Sequence, residues 1–276
     1  MDIKSLFKSL IPRNLWRYIR LQRILAAHRR VAEYWKPLIV KYERGEIAYP
    51  APVAKKDLSG KRIIWQYWGQ GVDAPDMPEI VRICFASVDK YKGDYEVIRL
   101  SDDTIAEYVD LPPFVWEKLR HNPSFTRTFF SDLLRVALLR TYGGVWLDAT
   151  ILMTGQFPQS YEQEDHFLFR RDEAEKDKKY WENAYAFYYG WHLNFKVRML
   201  SSIFFAQKGS KTINALYELM LYLWEHAERN PDYFSFQILY EVLKEKGFIV
   251  APIVSDCIPH LLQTKINGTF DAVSFE

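Results

Sequence analysis

The stretch from Ser131 to Thr150, SDLLRVALLRTYGGVWLDAT, limits the possible fold of this chain more than any other. Its first half repeats apolar residues at the three- and four-residue spacing of a helix that buries one face. Two adjacent glycines then permit positive φ, which ends the helix and reverses the chain tightly. A short apolar strand follows and ends at Asp148. The stretch therefore predicts a helix, a tight turn and a strand that carries a carboxylate at its end.

Helix and strand patterns also alternate upstream of this stretch. RIIWQYWG (residues 62–69) and YEVIRL (residues 95–100) predict strands, and Pro78 stands at a predicted helix start between them. Ser101 precedes a short predicted helix, TIAEYV (residues 104–109). Strands that alternate with helices form a parallel sheet covered by helices, and such sheets bind ligands at the carboxyl ends of their strands. The chain is therefore predicted to be an α/β protein.

The remainder predicts a second half of the same sheet. Strands are predicted at FLFRR (167–171), AYAFYYGW (184–191), MLSSIFFAQKG (199–209) and FIVAPIV (248–254), with a charged loop at DEAEKDKK (172–179). The strand of the central stretch is predicted to continue through VWLDATILM (145–153). Two amphipathic helices, INALYELMLYLWEHA (213–227) and YFSFQILYEVLKEK (233–246), precede the last strand. The 276 residues are 49% hydrophobic, which suffices for one large core.

Positive charge is concentrated at the N-terminus. Residues 1–44 hold eleven Lys or Arg against three acids, whereas the other 232 residues hold 26 against 32. Apolar residues at helical spacing, from Ile3 to Leu10 and from Leu15 to Ile24, indicate a basic amphipathic helix with a break at Pro12. Either it lies in the headgroup layer of an anionic membrane through residues 1–30, or it docks on the rest of the protein. Nucleic acid is not expected as a partner, since no binding motif accompanies these basic residues.

The compartment is predicted from what the sequence lacks. Cys84 and Cys257 have neither metal-ligand spacing nor the pattern of a disulfide framework, which favours a reducing cytoplasm. The N-terminus does not read as a signal peptide, and no stretch reaches the eighteen apolar residues that would span a bilayer.

Three residues of the central stretch are candidates for chemistry. Asp132 and Arg135 are three apart on the predicted helix, so they share a face, which alone indicates only a surface ion pair. Asp148, however, ends a buried strand, where the ligand crevice of such a sheet lies. The double glycine is expected to bring the helix and the strand end together.

The same stretch resembles the DxD sugar-binding region of family 32 glycosyltransferases, and more closely their capsular polysaccharide synthesis branch, with its pattern SDxxRxxLLxxYGGxWxDAT. IIWQYWGQGVDAPDMPEIV, SSIFFAQKGS, DYFSFQ and PHLLQ agree with it, so the resemblance covers about residues 60–265. It implies a GT-A fold, a Rossmann-like mixed sheet flanked by helices. We expect this domain at residues 59–276, after a basic amphipathic helical extension at residues 1–58. The resemblance also implies a nucleotide-sugar donor and transfer with retention at the anomeric carbon.

The resemblance implies roles for single residues. Asp132 corresponds to the acid that holds donor hydroxyls, Arg135 to its partner on the transferred sugar, and Asp148 to the first Asp of DxD. Trp68, preceded by Tyr67, resembles the aromatic residue that stacks on the nucleobase. Gln237 is a further candidate for a sugar contact, although a solvated or capping amide is the alternative.

One position departs from DxD. Thr150 replaces the second Asp, which usually binds a divalent ion, although the capsular branch itself carries DAT. A Mn²⁺ or Mg²⁺ ion would then depend on Asp148 and the diphosphate, aided by His260 or Asp256. A lone histidine more often caps or packs. Without a metal, Arg135 or Lys208 is expected to balance the charge of the leaving diphosphate.

These observations predict a retaining glycosyltransferase that moves a sugar, with a UDP-sugar favoured as donor, to a saccharide acceptor in capsular or other surface polysaccharide synthesis. The acceptor is expected to be lipid-linked and the protein peripheral on the inner face of the cell membrane. Two alternatives stay open, namely a non-catalytic sugar-nucleotide-binding or scaffold protein of the same fold, and an enzyme with a soluble acceptor.

Overall fold

A computed structural model describes residues 12–262 of the chain. The described residues contain five strands: β1 (Ile63–Tyr67), β2 (Glu96–Leu100), β3 (Gly144–Leu147), β4 (His166–Arg170) and β5 (Met199–Ala206). They also contain seven α-helices: α1 (Arg13–Glu43), α2 (Glu79–Tyr91), α3 (Pro113–His121), α4 (Arg127–Tyr142), α5 (Lys178–Ala184), α6 (Lys211–His226) and α7 (Ser235–Glu245). The apolar segment from Ile3 to Leu10 lies outside the described residues.

The five strands form one mixed sheet in the order β2-β1-β3-β5-β4. β1 pairs in parallel with β2 and β3, whereas β5 runs antiparallel to both β3 and β4. The predicted α/β class is confirmed, and the parallel part of the sheet is the part where strand and helix patterns alternate. Because β1, β2 and β3 are parallel, their carboxyl ends lie at one edge, which we call the ligand edge.

Both faces of the sheet are covered by apolar side chains. On β1, Ile63 and Trp65 face a large core shared with α4, α6 and α7, and Ile64 faces a second core on the other side. On β3, Trp146 points to the first core and Val145 to the second. Strands that bury both faces show nearly continuous apolar runs, as in IIWQY and GVWL.

The turn between α4 and β3 requires its two glycines. Gly143 and Gly144 have φ values of 75° and 100°. A Cβ on Gly144 would lie 2.6 Å from the carbonyl oxygen of Ile63, and one on Gly143 would lie 2.8 Å from the amide nitrogen of Lys208. Side chains are therefore excluded by sterics as well as by φ, which confirms the predicted reversal between α4 and β3.

Several predicted boundaries are wrong near Pro and turn residues. TIAEYV forms only a short 3₁₀ segment at Ile105–Glu107, and the predicted strand 145–153 ends at Leu147 because residues 148–151 turn back. Helix α3 was not predicted, although Pro113 within its first turn is a known start signal. Pro78 is the N-cap of α2 rather than a helical residue.

Two predicted strands are absent from the described structure. In residues 184–191, the amides of Tyr188 and Tyr189 donate to the carbonyl of Tyr185, so this segment turns after α5 instead of extending. In residues 248–254, Pro252 has no amide hydrogen for a ladder. That segment only leads to an isolated bridge between Ser255 and Arg170.

The basic helix α1 docks on the rest of the protein over much of its length. Ile24, Trp35 and Ile39 are buried in the large core, and the indole of Trp35 donates to the carbonyl of Ser235 at 3.0 Å. Docking, one of the two interpretations of this helix, is thus observed for residues 24–39, while Leu15 near its start is exposed. Membrane contact through residues 1–30 stays a prediction, as does the division at residue 58. No helix within residues 12–262 is long and apolar enough to cross a bilayer.

Candidate functional site

The candidate site lies at the ligand edge, where β1, β2 and β3 end. Trp68 follows β1, Asp102 follows β2 by two residues, and Asp148 directly follows β3. The backbone amide of Asp148 donates to the carbonyl of Ser202 at 2.9 Å, so the neighbouring strand β5 fixes the start of the turn. Residues from distant parts of the sequence therefore meet at this edge.

Arg135 links the two predicted carboxylates. Its Nη1 donates to Oδ1 of Asp132, and its Nη2 donates to Oδ1 of Asp148 at 3.0 Å. The guanidinium lies 5.1 Å from the ring centre of Trp146 and 5.5 Å from that of Phe236. Arg135 is only 1% exposed, so the guanidinium is held rigidly between rings and carboxylates. We call Asp132, Arg135 and Asp148 the triad.

Asp148 is the member of the triad that faces outward. Its Oδ1 also accepts a hydrogen bond from Nε1 of Trp146 at 2.6 Å. Its side chain is 36% exposed, compared with 11% for that of Asp132. Because one oxygen holds both described hydrogen bonds, the carboxylate is oriented by the protein while it still meets solvent.

Burial shapes the electrostatics of the triad. Burial raises the pKa of Asp132 to about 6, although the cation of Arg135 opposes this shift. For Arg135, burial disfavours the charged form, but Asp148 and Asp132 outweigh it and raise the pKa of the guanidinium. With both acids ionised, the triad carries a net charge of −1.

Tyr188 was missed as a site residue by the sequence analysis. Burial, followed by the neighbouring Tyr233 and the charge of Asp148, raises the pKa of Tyr188 to about 12. The phenol is therefore neutral at pH 7, and the charge of Asp148 contributes to this. The only signal in the sequence is the aromatic cluster AYAFYYGW, which was interpreted as a strand.

Gln237 lies on α7, next to the ring of Phe236 that covers Arg135. Its Nε2 donates to the hydroxyl of Ser201 at 3.1 Å, while its Oε1 is buried without a hydrogen-bond partner among the described residues. Nε of Arg135 is likewise buried and without a partner in residues 12–262. Buried polar atoms in native proteins usually have partners, so these two atoms require a partner beyond the described residues, such as a ligand or an ordered water.

Comparison with known proteins agrees with the central motif. A family model described as "Capsular polysaccharide synthesis protein" matches residues 16–276. The chain belongs to this capsular polysaccharide synthesis family. The resemblance stated for the central stretch is thereby confirmed, and the match includes most of α1 as well as the sheet.

Solved structures and curated sequences add little to the assignment to the capsular polysaccharide synthesis family. One similar solved chain is described as "PaToxG Glycosyltransferase", with a TM-score of 0.40 and 14% identity, over 92% of this chain and 84% of that chain. No curated protein sequence matches this chain significantly.

In this member of the capsular polysaccharide synthesis family, Trp68 and Tyr67 occupy different surroundings. Trp68 is half-buried and packs near Ala149, with its Nε1 buried and without a partner among the described residues. Tyr67 is buried, and its hydroxyl donates to Asp102, which is also held by Arg127 through bonds of 2.8 and 2.6 Å. Trp68 thus packs on a cluster that includes Ala149 of the DAT turn, whereas the polar group of Tyr67 already has a protein partner.

The described residues do not form a complete cation site. No three His, Cys, Asp or Glu side chains within residues 12–262 are grouped for a metal ion. Thr150 is exposed beside Asp148, and the cation of Arg135 lies against that carboxylate. A divalent ion would depend on the donor for most of its oxygen ligands.

His260 and Asp256 belong to a neighbouring buried cluster. Nδ1 of His260 is 2.8 Å from the hydroxyl of Tyr189 and 3.0 Å from the carbonyl oxygen of Asp256. Burial lowers the pKa of His260, so the imidazole is neutral at pH 7. The carboxylate of Asp256 is buried and paired with Arg171 at 3.0 Å. The role of His260 as a ligand stays a prediction, while Asp256 serves an internal ion pair.

The prediction that Lys208 balances the charge of the leaving diphosphate is wrong. It follows β5, which runs antiparallel to β3, and Ala206 pairs with Gly144 at the start of β3. Lys208 therefore lies at the opposite edge of the sheet from Asp148. The prediction failed because the sequence does not show the direction of β5.

Proposed function

We propose that the protein is a glycosyltransferase that moves a sugar from a nucleotide-sugar donor to a saccharide acceptor during surface polysaccharide synthesis. The observation that carries this proposal is the triad, in which a buried arginine holds an outward-facing carboxylate at the ligand edge. Membership of the capsular polysaccharide synthesis family supports the same activity. A UDP-sugar is the donor that we favour, in line with the resemblance of the central stretch.

The groups of the triad suit the recognition of sugar hydroxyls. A carboxylate accepts two hydroxyl hydrogen bonds, and Asp148 is oriented for this by Arg135 and Trp146. Oε1 of Gln237 has no partner among the described residues and is a further candidate acceptor, since the adjacent Phe236 covers Arg135. The half-buried Trp68 offers an indole beside Ala149 for the nucleobase.

For the reaction itself, we propose front-face attack with retention. The bond from the anomeric carbon to the diphosphate oxygen breaks while a bond to the acceptor hydroxyl oxygen forms on the same face. The proton of that hydroxyl passes to the leaving diphosphate, so no protein base is consumed. Arg135 holds Asp148 on the donor sugar while this bond breaks, because the two acids already neutralise its charge and the triad as a whole is negative.

We also propose that a divalent cation assists the reaction, and the assay tests this. Asp148 would be its carboxylate ligand, with the donor diphosphate supplying other oxygens and His260 a nitrogen. When bound, Mn²⁺ or Mg²⁺ would neutralise charge on the diphosphate. Release of nucleoside diphosphate with and without Mn²⁺ decides whether the protein needs it.

The proposal is tested by donor turnover in the Asp148→Asn variant. We measure release of nucleoside diphosphate or monophosphate from a panel of UDP-, GDP- and CMP-sugars. Loss of the charge is expected to lower turnover by about 100-fold or more, while the thermal midpoint stays near that of the wild type. The matched control is Asp110→Asn, an exposed carboxylate that pairs with Lys55 at 3.2 Å. Near-normal turnover in Asp148→Asn would place the reacting centre elsewhere.

A non-catalytic sugar-nucleotide-binding protein is the second candidate. Thr150 at the second DxD position favours it, as does the engagement of Asp148 by Arg135 inside the protein. Wild-type protein that binds a nucleoside diphosphate but turns over no donor in the panel, with or without Mn²⁺, would establish this alternative.

The acceptor and the location of the enzyme are also proposals. We propose a lipid-linked acceptor at the inner face of the cell membrane, with the start of α1 in contact with the bilayer. The exposed Leu15 and Tyr18 and the basic Arg17 support this contact. Liposome binding that is unchanged after deletion of residues 1–18, which keeps the docked part of α1, would rule out the contact, and a soluble acceptor would then be the better hypothesis.

A further inference from the structure

A cavity lies between helix α1 and the segments that carry the aromatic residues near the site. It has a volume of about 420 Å³, within the range of about 300–1,000 Å³ typical of small-molecule sites. One wall is formed by Phe187, Tyr233 and Phe234, and the other by α1. On α1, positions 16, 20, 23, 24 and 27 line the cavity, and their spacing places them on one helical face.

The charges of the cavity favour an anion. Arg20 and Arg23 line it, and no ion pair to either guanidinium occurs within the described part of the chain. Asp232 is the acid in the lining, and its Oδ1 accepts a hydrogen bond from the backbone amide of Phe234 at 2.9 Å. His28 is neutral at pH 7 because burial lowers its pKa to about 4. The lining of this mostly apolar cavity therefore holds two cations and one anion.

Rings of the cavity wall contact two further aromatic residues, Tyr188 and Phe129. The ring centre of Phe234 lies 5.1 Å from that of Tyr188, whose pKa is raised in part by the charge of Asp148. The ring of Tyr233 lies 6.2 Å from that of Phe129 on α4, three residues before Asp132. These ring contacts connect the cavity wall to segments that surround the triad.

We propose that this cavity is the acceptor site, and that its ligand is a lipid phosphate, an apolar chain that ends in a phosphate or diphosphate. The apolar chain of the ligand packs against Ile24 and the aromatic wall, while Arg20 and Arg23 bind the phosphate oxygens. The saccharide beyond the phosphate then extends to Asp148. This assignment rests on the proposed function, because it gives that reaction its acceptor. Guanidinium groups bind phosphate with paired hydrogen bonds, so the two arginines suit this role.

Binding to the full-length chain is tested by calorimetry with three probes: farnesyl diphosphate, farnesol and inorganic pyrophosphate. Farnesyl diphosphate is expected to bind at least about tenfold more tightly than either other probe, because only it meets both the apolar wall and the arginines. Comparable binding of pyrophosphate would contradict the apolar part of the site, and comparable binding of farnesol would contradict the role of the arginines.

Two double variants with equal charge separate the cavity from the general charge of α1. Arg20→Gln with Arg23→Gln is expected to weaken farnesyl diphosphate binding about tenfold or more. Arg29→Gln with Arg30→Gln, at exposed positions of α1 outside the cavity lining, is expected to leave it within about twofold. An equal loss in both variants would assign binding to the charge of the helix and overturn the proposal.

A third variant tests the cavity by volume. Ala27→Trp adds a large ring to the lining without a change of charge, and it is expected to weaken farnesyl diphosphate binding about tenfold while circular dichroism stays unchanged. Unchanged affinity in a folded Ala27→Trp protein would place the probe elsewhere and overturn the assignment.

Donor hydrolysis distinguishes failure of this site from failure of the proposed function. Release of nucleoside diphosphate in water, without an acceptor, is expected to be equal in the wild type and in the Arg20 and Arg23 double variant. If the wild type turns over no donor but binds farnesyl diphosphate as described, the proposed transfer fails and the lipid phosphate site holds. If donor hydrolysis persists and farnesyl diphosphate does not bind, the proposed function holds and this inference fails.

Discussion

Arg135 and Arg171 are both buried and both paired with carboxylates, but they differ in how completely their hydrogen bonds are satisfied. Arg171 donates through Nε to Asp256, through Nη1 to the carbonyl of Gly190 at 2.9 Å, and through Nη2 to the carbonyl of Tyr188 at 2.6 Å. The buried Nε of Arg135 has no partner among the described residues.

The carboxylates that pair with the two arginines also differ, in their exposure to solvent. The side chain of Asp256 is 6% exposed, so its only environment is the protein. That of Asp148 is 36% exposed at the ligand edge. The comparison teaches that burial of an arginine alone does not identify a functional site. What separates them is an open hydrogen-bonding group next to a carboxylate that reaches solvent.

The largest effect is expected on stability when each arginine is replaced by methionine. Arg171→Met leaves Asp256 buried without its cation and should lower the free energy of unfolding by about 3–5 kcal/mol. Arg135→Met should cost less, about 1–2 kcal/mol, because loss of the cation raises the pKa of Asp132 further, so that its carboxyl can stay buried in the protonated form, and Asp148 can be hydrated. Urea unfolding followed by circular dichroism measures both values.

Donor turnover completes the comparison of these two variants. Arg135→Met is expected to lose transfer by about 100-fold while it stays folded, whereas any loss in Arg171→Met should follow the fraction of unfolded protein. If Arg135→Met unfolds as readily as Arg171→Met, the arginine of the triad is structural and the contrast fails.

The next largest effect is a dependence of protein stability on pH that Asp132 causes. Burial raises the pKa of its folded state to about 6, above the usual value of 3.8, so the folded protein binds this proton more tightly than the unfolded chain. The contribution of Asp132 to stability is therefore fully present below about pH 4, and it is lost as pH rises from about 4 to 6. A shift of this size corresponds to at most about 3 kcal/mol.

Asp132→Asn removes this titration and isolates it from other groups. The difference in unfolding free energy between the wild type and this variant should fall as pH rises from 4 to 6 and then stay constant to pH 8. Turnover of the wild type should change in the opposite direction, since Arg135 loses one ionised partner as pH falls through about 6. A stability difference that rises over this pH range would contradict the raised pKa.

The part of the fold that sequence alone predicted is the part with local patterns. The α4 helix, its two glycines and β3 all follow from periodicity and from the need for positive φ within one short stretch. The segment 184–191 misled the prediction because its aromatic alternation resembles a strand, whereas the hydroxyl of Tyr189 donates to the carbonyl of Asp256 at 2.8 Å, far along the chain. Packing between distant segments overrides such patterns and cannot be read from them.

The site shows the same division between residues predicted from local patterns and residues brought in from distant segments. Asp132, Arg135 and Asp148 share one stretch, so their spacing and the strand end predicted that they meet. Phe236 and Tyr188 come from later segments that reach the triad only through the order and directions of the strands. That order, with β5 antiparallel between β3 and β4, was not available from local patterns, and the mistaken placement of Lys208 has the same cause.

The smallest effect should come from Trp146→Phe, which removes the bond from Nε1 to Asp148 but keeps a ring near Arg135. Because Asp148 retains its bond to Arg135, we expect only about a three- to tenfold loss in kcat/KM for the donor, as for one hydrogen bond of about 1 kcal/mol. The matched control is Trp65→Phe, which removes a bond of 2.9 Å to the carbonyl of Gly143 inside the core. That variant should lose stability and keep the kcat/KM of its folded fraction. If Trp146→Phe behaved like Trp65→Phe, orientation of Asp148 by the indole would have no part in transfer, and Arg135 alone would set the direction of that carboxylate.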